Sequence, residues 1–150
     1  MKNTALVTGG AGFIGSNLVH ALVGRGDSRV VVLDRLTYAG NLDNLAALES
    51  KVDFEFVRGD ICDAALVRAL LDRTRPESVY HLAAETHVDR SIDGPGAFVR
   101  TNLTGTFELL AASLEYWRSL RGASRFRFIH VSTDEVYGSL GETGAFTEAS

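Results

Sequence analysis

This chain of 150 residues has a single cysteine, Cys62, so no internal disulfide can form and a cysteine-based metal site is disfavoured. That scarcity points to a reducing, intracellular setting, the cytoplasm. Proline is nearly as rare. Two prolines against 15 glycines speak for glycine-rich turns inside a folded domain rather than for disorder. There is no excess of positive charge: 15 Lys and Arg against 19 Asp and Glu give a formal net charge of -4. Electrostatics therefore makes no case for nucleic acid or an anionic membrane as partner. Long hydrophobic runs are missing as well. The apolar stretch 5–23 is interrupted by glycines and by Asn17 and His20, which argues against a signal peptide or a membrane span. No two histidines have metal-ligand spacing, so no metal is expected. Repeats, low-complexity tracts and an interdomain linker are absent from the sequence.

What is present is ordinary in amount and regular in arrangement. Apolar residues make up 45% and charged residues 23%, enough for one domain, residues 1–150, with its own core. Short apolar runs alternate with segments of helical period. Residues 5–7 read as a buried strand, after which Ile14, Leu18, Val19 and Leu22 share a helical face that Gly24 and Gly26 end. Val30, Val31, Val32 and Leu33 form a continuous run suited to a strand buried on both faces, closed by Asp34. Residues 42–48 predict a short helix, 54–57 a third strand, and 64–73 a helix capped by Asp63. A fourth strand is predicted over 79–83, a loop at Gly94-Pro95-Gly96, a long helix over 98–120 and a fifth strand over 126–131.

Strands joined by helices imply right-handed crossovers, hence an α/β fold with a doubly wound parallel sheet. Ligands of such sheets bind beyond the carboxyl ends of the strands. Those ends carry residues 9–15, Asp34, Asp60, residues 83–86 and Thr133-Asp134-Glu135.

Gly9, Gly12 and Gly15 follow a strand and open a helix, the context that gives a glycine motif weight. Gly9 permits a tight turn, Gly12 lets backbone approach a pyrophosphate, and Gly15 brings the helix close to the sheet. A plain glycine-rich turn would look the same, but Asp34 ends the second strand 19 residues after Gly15. A carboxylate there can accept both ribose hydroxyls of an adenosine, which favours NAD over NADP. Arg35 beside it is a residue that could pair with a 2'-phosphate. Asp60 reads equally well as an adenine contact or as a turn cap.

Asp134 and Glu135 are the leading acid/base candidates, because adjacent carboxyls in different surroundings can be driven to different pKa values. Strand neighbours point to opposite faces, so they converge with Thr133 only if the backbone turns there. Thr133 could bond a substrate hydroxyl or cap that turn, and Tyr137 could serve the site or simply pack. His81 and His130 read as core histidines and His20 as a surface residue. His87 reads as a site residue or as part of a polar loop network with Asp89 and Arg90.

The segments 8–15, 34–42, 59–63, 81–92 and Ser132-Thr133-Asp134-Glu135-Val136-Tyr137-Gly138 resemble the extended short-chain dehydrogenase/reductase family, and within it the nucleotide-sugar dehydratases. The resemblance implies the Rossmann NAD-binding fold, with NAD as cofactor. Phe13, Ile14, Asp34, Arg35, Leu36, Thr37, Asp60, Ile61, Leu82, Ala83, Ala84 and Thr101 would line its site, and Thr86 and Thr133 would face the sugar. The family commonly has Ser at position 86 and Lys at position 35. The implied substrate is dTDP-glucose or a related nucleotide sugar, and the implied reaction is redox-neutral. A hydride leaves C4 of the glucose, Glu135 removes the acidified C5 proton, Asp134 protonates the departing C6 hydroxyl, and the hydride returns at C6. A homodimer built on the long helix is also implied. Two alternatives stand beside this reading: a nucleotide-sugar 4-epimerase and a non-catalytic dinucleotide-binding module.

One family element is missing. Tyr38, Tyr80, Tyr116 and Tyr137 are not followed by Lys at the fourth position, and the only lysines are Lys2 and Lys51. The Tyr-x-x-x-Lys pair that begins the oxidation lies, in the family, shortly beyond the segment matching 146–148. The expectation is therefore an N-terminal portion whose substrate-binding part is absent. By themselves these residues are expected to bind NAD weakly or not at all, and not to turn over.

Overall fold

The computed structural model describes residues 2–87, 92, 94–120 and 125–149. Strands β1 (Asn3–Thr8), β2 (Ser28–Asp34), β3 (Phe54–Arg58), β4 (Ser78–His81) and β5 (Arg127–His130) form one sheet in the order β3-β2-β1-β4-β5. Every pairing is parallel, with Ala5 opposite Val30 on one side and Ser78 on the other. The connections are α1 (Phe13–Arg25), a 3-10 helix (Leu42–Leu48), α2 (Ala64–Thr74), and a long helix made of three parts. Those parts are α3 (Pro95–Phe98), a π-helical segment (Val99–Gly105) and α4 (Thr106–Ser119). The expected doubly wound parallel sheet is the observed fold.

Side-chain alternation divides the core between the two sheet faces. Ala5, Val7, Val30 and Val32 pack with Val19 and Leu22 of α1 and with Leu45 and Leu48 of the 3-10 helix. Leu6, Val31, Leu33 and Val79 pack on the opposite face with Val67, Leu70 and Leu71 of α2 and with Leu109, Ala112 and Tyr116 of α4. The run from Val30 to Leu33 is wholly buried, as a strand covered on both faces requires. Each such side chain contributes about 1.5–3 kcal/mol of burial energy.

Several boundaries differ from the sequence reading. Helix α1 passes through Gly24 and ends at Gly26, whose left-handed φ of 70° lets its N–H return to the Val23 carbonyl. Pro95 and Gly96 lie in the first turn of the long helix rather than in a loop, Pro being tolerated where the helix has no N–H to lose. β4 stops at His81, two residues early, and β5 spans only 127–130. The expected uniform α-helix over 98–120 contains a π turn, whose wider ring inserts a residue into the hydrogen-bond ladder. The Asp63 cap is as expected: its Oδ1 accepts from the Leu66 N–H at 3.0 Å.

The direction in which strands are added to the sheet reverses between β1 and β4. The sequence winds outward from β1 through β2 to β3, then restarts on the other side with β4 and β5. The crevice between the carboxyl ends of β1 and β4 is therefore the switch point where such sheets bind ligands.

Candidate active site

Backbone lines the switch point because no side chain fits. Gly9 follows β1 with a φ of 72°, and a Cβ there would lie 2.6 Å from the Ala83 nitrogen. A Cβ on Gly15 would lie 2.1 Å from the Gly9 carbonyl oxygen, so α1 can sit this close to the turn only with glycine. Gly12 precedes α1 in extended conformation, and no side chain caps the helix start. The first-turn amides of a 13-residue helix thus face the crevice without a side-chain partner, an arrangement that suits phosphate. Phe13 and Ile14 flank it, 83% and 66% exposed, an apolar rim of the kind a bound ligand covers.

Asp34 braces this turn. Its Oδ2 accepts from the Ala11 N–H at 2.9 Å, and its Oδ1 accepts from the Leu36 N–H at 2.8 Å. Leu36 adopts a φ of 58°, a conformation that costs a non-glycine residue of order 1 kcal/mol or more. Gly40 packs over this strained step. A Cβ on it would meet Asp34 Oδ1 at 2.9 Å and the Leu36 Cα at 3.1 Å. Sequence reasoning missed Gly40, which has no periodic signal of its own.

At the end of β3, Asp60 Oδ1 accepts from the Cys62 N–H at 2.9 Å, which fits the turn-cap reading. Its Oδ2 faces Arg35 Nη1 at 3.3 Å and Arg100 Nη2 at 3.6 Å. Burial pushes the Asp60 carboxyl upward, but the Cys62 amide and the two guanidiniums outweigh it and hold the group below the usual carboxylate range. Ile61 is buried in the core beside Gly105. Thr101 is half-buried within the π segment.

At the end of β4, His81 is buried and satisfied on both nitrogens, as expected of a core histidine. Thr8 Oγ1, which also receives the Ala83 N–H at 3.4 Å, lies 2.7 Å from His81 Nδ1, and Thr106 Oγ1 lies 2.9 Å from its Nε2. The one proton of the neutral ring serves one of these bonds and a threonine hydroxyl donates in the other. Burial first, and then the neighbouring His130, push the His81 pKa down to about 4. His130 departs from expectation. It stacks on His81 with ring centroids 4.9 Å apart but is exposed, β5 being the outermost strand among the described residues. His20 is a surface residue, its Nε2 2.8 Å from the Asn44 carbonyl. Beyond Leu82, Ala83 and Ala84, Glu85 is gripped by Asn102 of the π segment: Asn102 Oδ1 accepts from the Glu85 N–H and Asn102 Nδ2 donates to the Glu85 carbonyl, each at 2.8 Å. That clamp fixes the backbone just before the exposed Thr86. His87 meets Tyr38 edge-on at 6.1 Å, and its expected network with Asp89 and Arg90 lies outside the described residues. Arg35, Thr37, Tyr38, Glu85, Gly94, Ala97 and Phe98 enclose an open cavity of about 510 Å³ on this edge of the sheet.

The backbone does turn after β5. Thr133 is extended and starts a 3-10 turn (Asp134–Tyr137), its Oγ1 accepting from the Glu135 N–H at 3.3 Å and lying 3.3 Å from Asp134 Oδ1. All three side chains are exposed. Thr133 therefore caps the turn and keeps its hydroxyl beside the acid pair. Tyr137 stacks on Phe146 with centroids 5.6 Å apart, a packing contact.

A sheet with this strand order, a side-chain-free glycine turn at its switch point and paired acids on the same edge define a doubly wound α/β protein shaped to receive a pyrophosphate. The chain belongs to the GDP-mannose 4,6 dehydratase family, whose model matches residues 6–150. It is 62% identical over 147 residues to the dTDP-glucose 4,6-dehydratase of Xanthomonas campestris pv. campestris, covering 97% of this chain and 42% of that one. A crystal structure of the dTDP-glucose 4,6-dehydratase of Streptomyces venezuelae, with NAD bound, superposes with a TM-score of 0.86 at 44% identity, covering 97% of this chain and 44% of that one. The UDP-glucose 4-epimerase of Thermus thermophilus, in complex with NAD, gives 0.81 at 33% identity over 97% and 43% of the two chains. The chain thus spans about two fifths of the length of the curated relatives it matches. Among the described residues, no helix is long and apolar enough to cross a membrane.

Proposed function

We propose that residues 1–150 are the NAD-binding domain, with part of the active site, of a protein that converts dTDP-glucose to dTDP-4-keto-6-deoxyglucose. One observation carries the reading: the Thr133-Asp134-Glu135 turn leaves β5 on the same edge of the sheet as the glycine turn after β1. The names of the relatives support the substrate, and the NAD in the neighbouring structures supports the cofactor.

The adenosine ribose lies at Asp34, and the pyrophosphate on Gly9, Gly12 and Gly15 with the start of α1. Phe13, Ile14, Arg35, Leu36, Thr37, Asp60, Leu82, Ala83, Ala84 and Thr101 line the rest, while the Ile61 side chain, expected among them, belongs to the core. NAD, when bound, supplies hydride acceptance at C4 of the glucose and hydride return at C6. The remaining steps fall to side chains. Thr86 and Thr133 orient the sugar hydroxyls. Once C4 is a ketone the C5 proton is acidic, and Glu135 removes it and gives a proton back to C5 when the hydride returns at C6. Asp134 gives a proton to the C6 hydroxyl, which leaves as water. Each such transfer is typically worth ~10²–10⁴-fold. The oxidation needs the Tyr-x-x-x-Lys pair, which these residues lack, so residues 1–150 by themselves do not turn over. The protein works in the cytoplasm as a homodimer. Leu103, Phe107, Leu110, Leu114 and Trp117 form an exposed apolar stripe along the long helix, at the spacing a helix–helix interface uses.

The test is to incubate the whole protein that carries this chain with dTDP-glucose and no added reductant. A 4-keto-6-deoxy sugar nucleotide supports the reading. Inversion at C4 with the C6 hydroxyl retained makes it an epimerase, and no conversion makes it a dinucleotide-binding module.

A further inference from the structure

Asp34 and Arg35 at the end of β2, Asp60 at the end of β3 and Arg100 on the π segment come together at the adenosine end of the crevice. The register that sets Asp34 opposite Arg58 brings Asp60 alongside Arg35. Asp34 is the residue expected to repel a 2'-phosphate, yet each of its oxygens already accepts a backbone N–H, from Ala11 and from Leu36. Those bonds fix the carboxylate in place, so what a 2'-phosphate meets beyond it is set by the cations beside it. An arginine next to such an aspartate is the group that would receive a 2'-phosphate. Arg35 is in that place and half exposed, but Asp60 Oδ2 lies 3.3 Å from its Nη1. Arg100 approaches the same oxygen at 3.6 Å, so one carboxylate occupies both cations at this rim. The Cys62 N–H on its other oxygen holds the Asp60 carboxylate in this orientation.

We propose that Asp60 is a specificity residue: by engaging Arg35 and Arg100 it withholds from a 2'-phosphate the cations that would bind it, and so excludes NADP. The proposal rests on the NAD reading given above. It assigns the discrimination to two strand ends, with repulsion from Asp34 and occupation of Arg35 by Asp60 acting together. Removing the Asp60 charge while keeping its shape frees two guanidiniums beside the ribose and leaves Asp34 untouched.

The experiment is calorimetric titration of NAD and of NADP into the whole protein and three variants: Asp60→Asn, Arg35→Ala, and Asp60→Asn combined with Arg35→Ala and Arg100→Ala. Asn keeps an acceptor for the Cys62 N–H. The quantity read is the ratio of the two affinities, which cancels any loss common to both dinucleotides. Asp60→Asn shifts that ratio toward NADP by about tenfold or more, the worth of one new charge-assisted bond. Arg35→Ala alone leaves the ratio within about twofold, because Arg35 is already occupied, and added with Arg100→Ala to Asp60→Asn it removes most of the gain. An unchanged ratio in Asp60→Asn overturns the proposal, as does a gain that survives when Arg35 and Arg100 are both replaced by Ala. Should Asp60→Asn fail to fold, Arg35→Ala decides alone: a shift away from NADP of about tenfold would mean that Arg35 was free all along. If neither dinucleotide binds the unsubstituted protein, the NAD reading falls and this proposal with it. If NAD binds and the ratios do not move, only the proposal falls.

Discussion

His81 Nδ1 lies 2.7 Å from Thr8 Oγ1, which joins the ends of β4 and β1 on either side of the crevice. The same Thr8 oxygen reaches the Ala83 N–H, and the far side of the ring reaches Thr106 on the long helix. A neutral imidazole therefore links the glycine turn, the Ala83 shelf and α4.

Stability should follow the protonation of that ring. Its folded pKa is pushed below the ordinary 6.5, to about 4, so the unfolded chain binds the proton more readily between those values. The His81 contribution is complete above pH 6.5, is lost as pH falls toward 4, and levels off below that. The expected loss is on the order of 3 kcal/mol. Urea unfolding of the native protein and of His81→Gln across this range, taken as a difference, isolates it from the carboxylates. A difference that does not vary with pH would contradict the assignment.

Two glycines in one helix should respond in opposite directions. Gly15→Ala places a Cβ 2.1 Å from the Gly9 carbonyl oxygen and should cost about 3 kcal/mol or more. Gly24 lies inside the same helix, α1, but a methyl group on it would meet nothing within 4 Å. Gly24→Ala should raise stability by about 0.5–1 kcal/mol. Denaturant midpoints check both.

Asp34→Asn should lower both stability and NAD affinity. The side-chain amide keeps one acceptor oxygen and turns an NH₂ toward the second backbone N–H, so either Ala11 or Leu36 loses its partner. The cost is about 1–3 kcal/mol. Leu36, no longer held at positive φ, should relax, which would appear as faster amide exchange from 36 to 40.

The apolar stripe predicts the assembly state. Phe107 and Leu114 lie two turns apart on one face of α4, both exposed. Phe107→Arg with Leu114→Arg should convert the whole protein from dimer to monomer in sedimentation velocity. A monomer before substitution would remove the stripe's assigned role.

The sheet was legible in the sequence because its central strands are buried on both faces, and Val30 to Leu33 can be little else. The glycine turn and the acid pair were legible because each interrupts such a run. Less could be read where hydrogen-bond register decides. Nothing in the residues 99–105 announces a π turn, yet that turn places Arg100 against Asp60 and Asn102 against Glu85. Positive φ at Leu36 is equally silent, since leucine has no preference for it and Asp34 and Gly40 impose it from outside. His130 reads as core in the sequence and is exposed in the fold, because a short apolar strand looks the same at an edge as in the centre.

Glu135→Gln in the whole protein, mixed with dTDP-glucose, tests the central claim most directly, because it separates oxidation from elimination. The side chain keeps its size at the exposed turn, so Thr133 still caps it and the fold is undisturbed. The account predicts that reduced nicotinamide absorbance appears and persists, with the C6 hydroxyl retained and product formation reduced by at least about 10²-fold. Dehydrated product formed at the unsubstituted rate would contradict it.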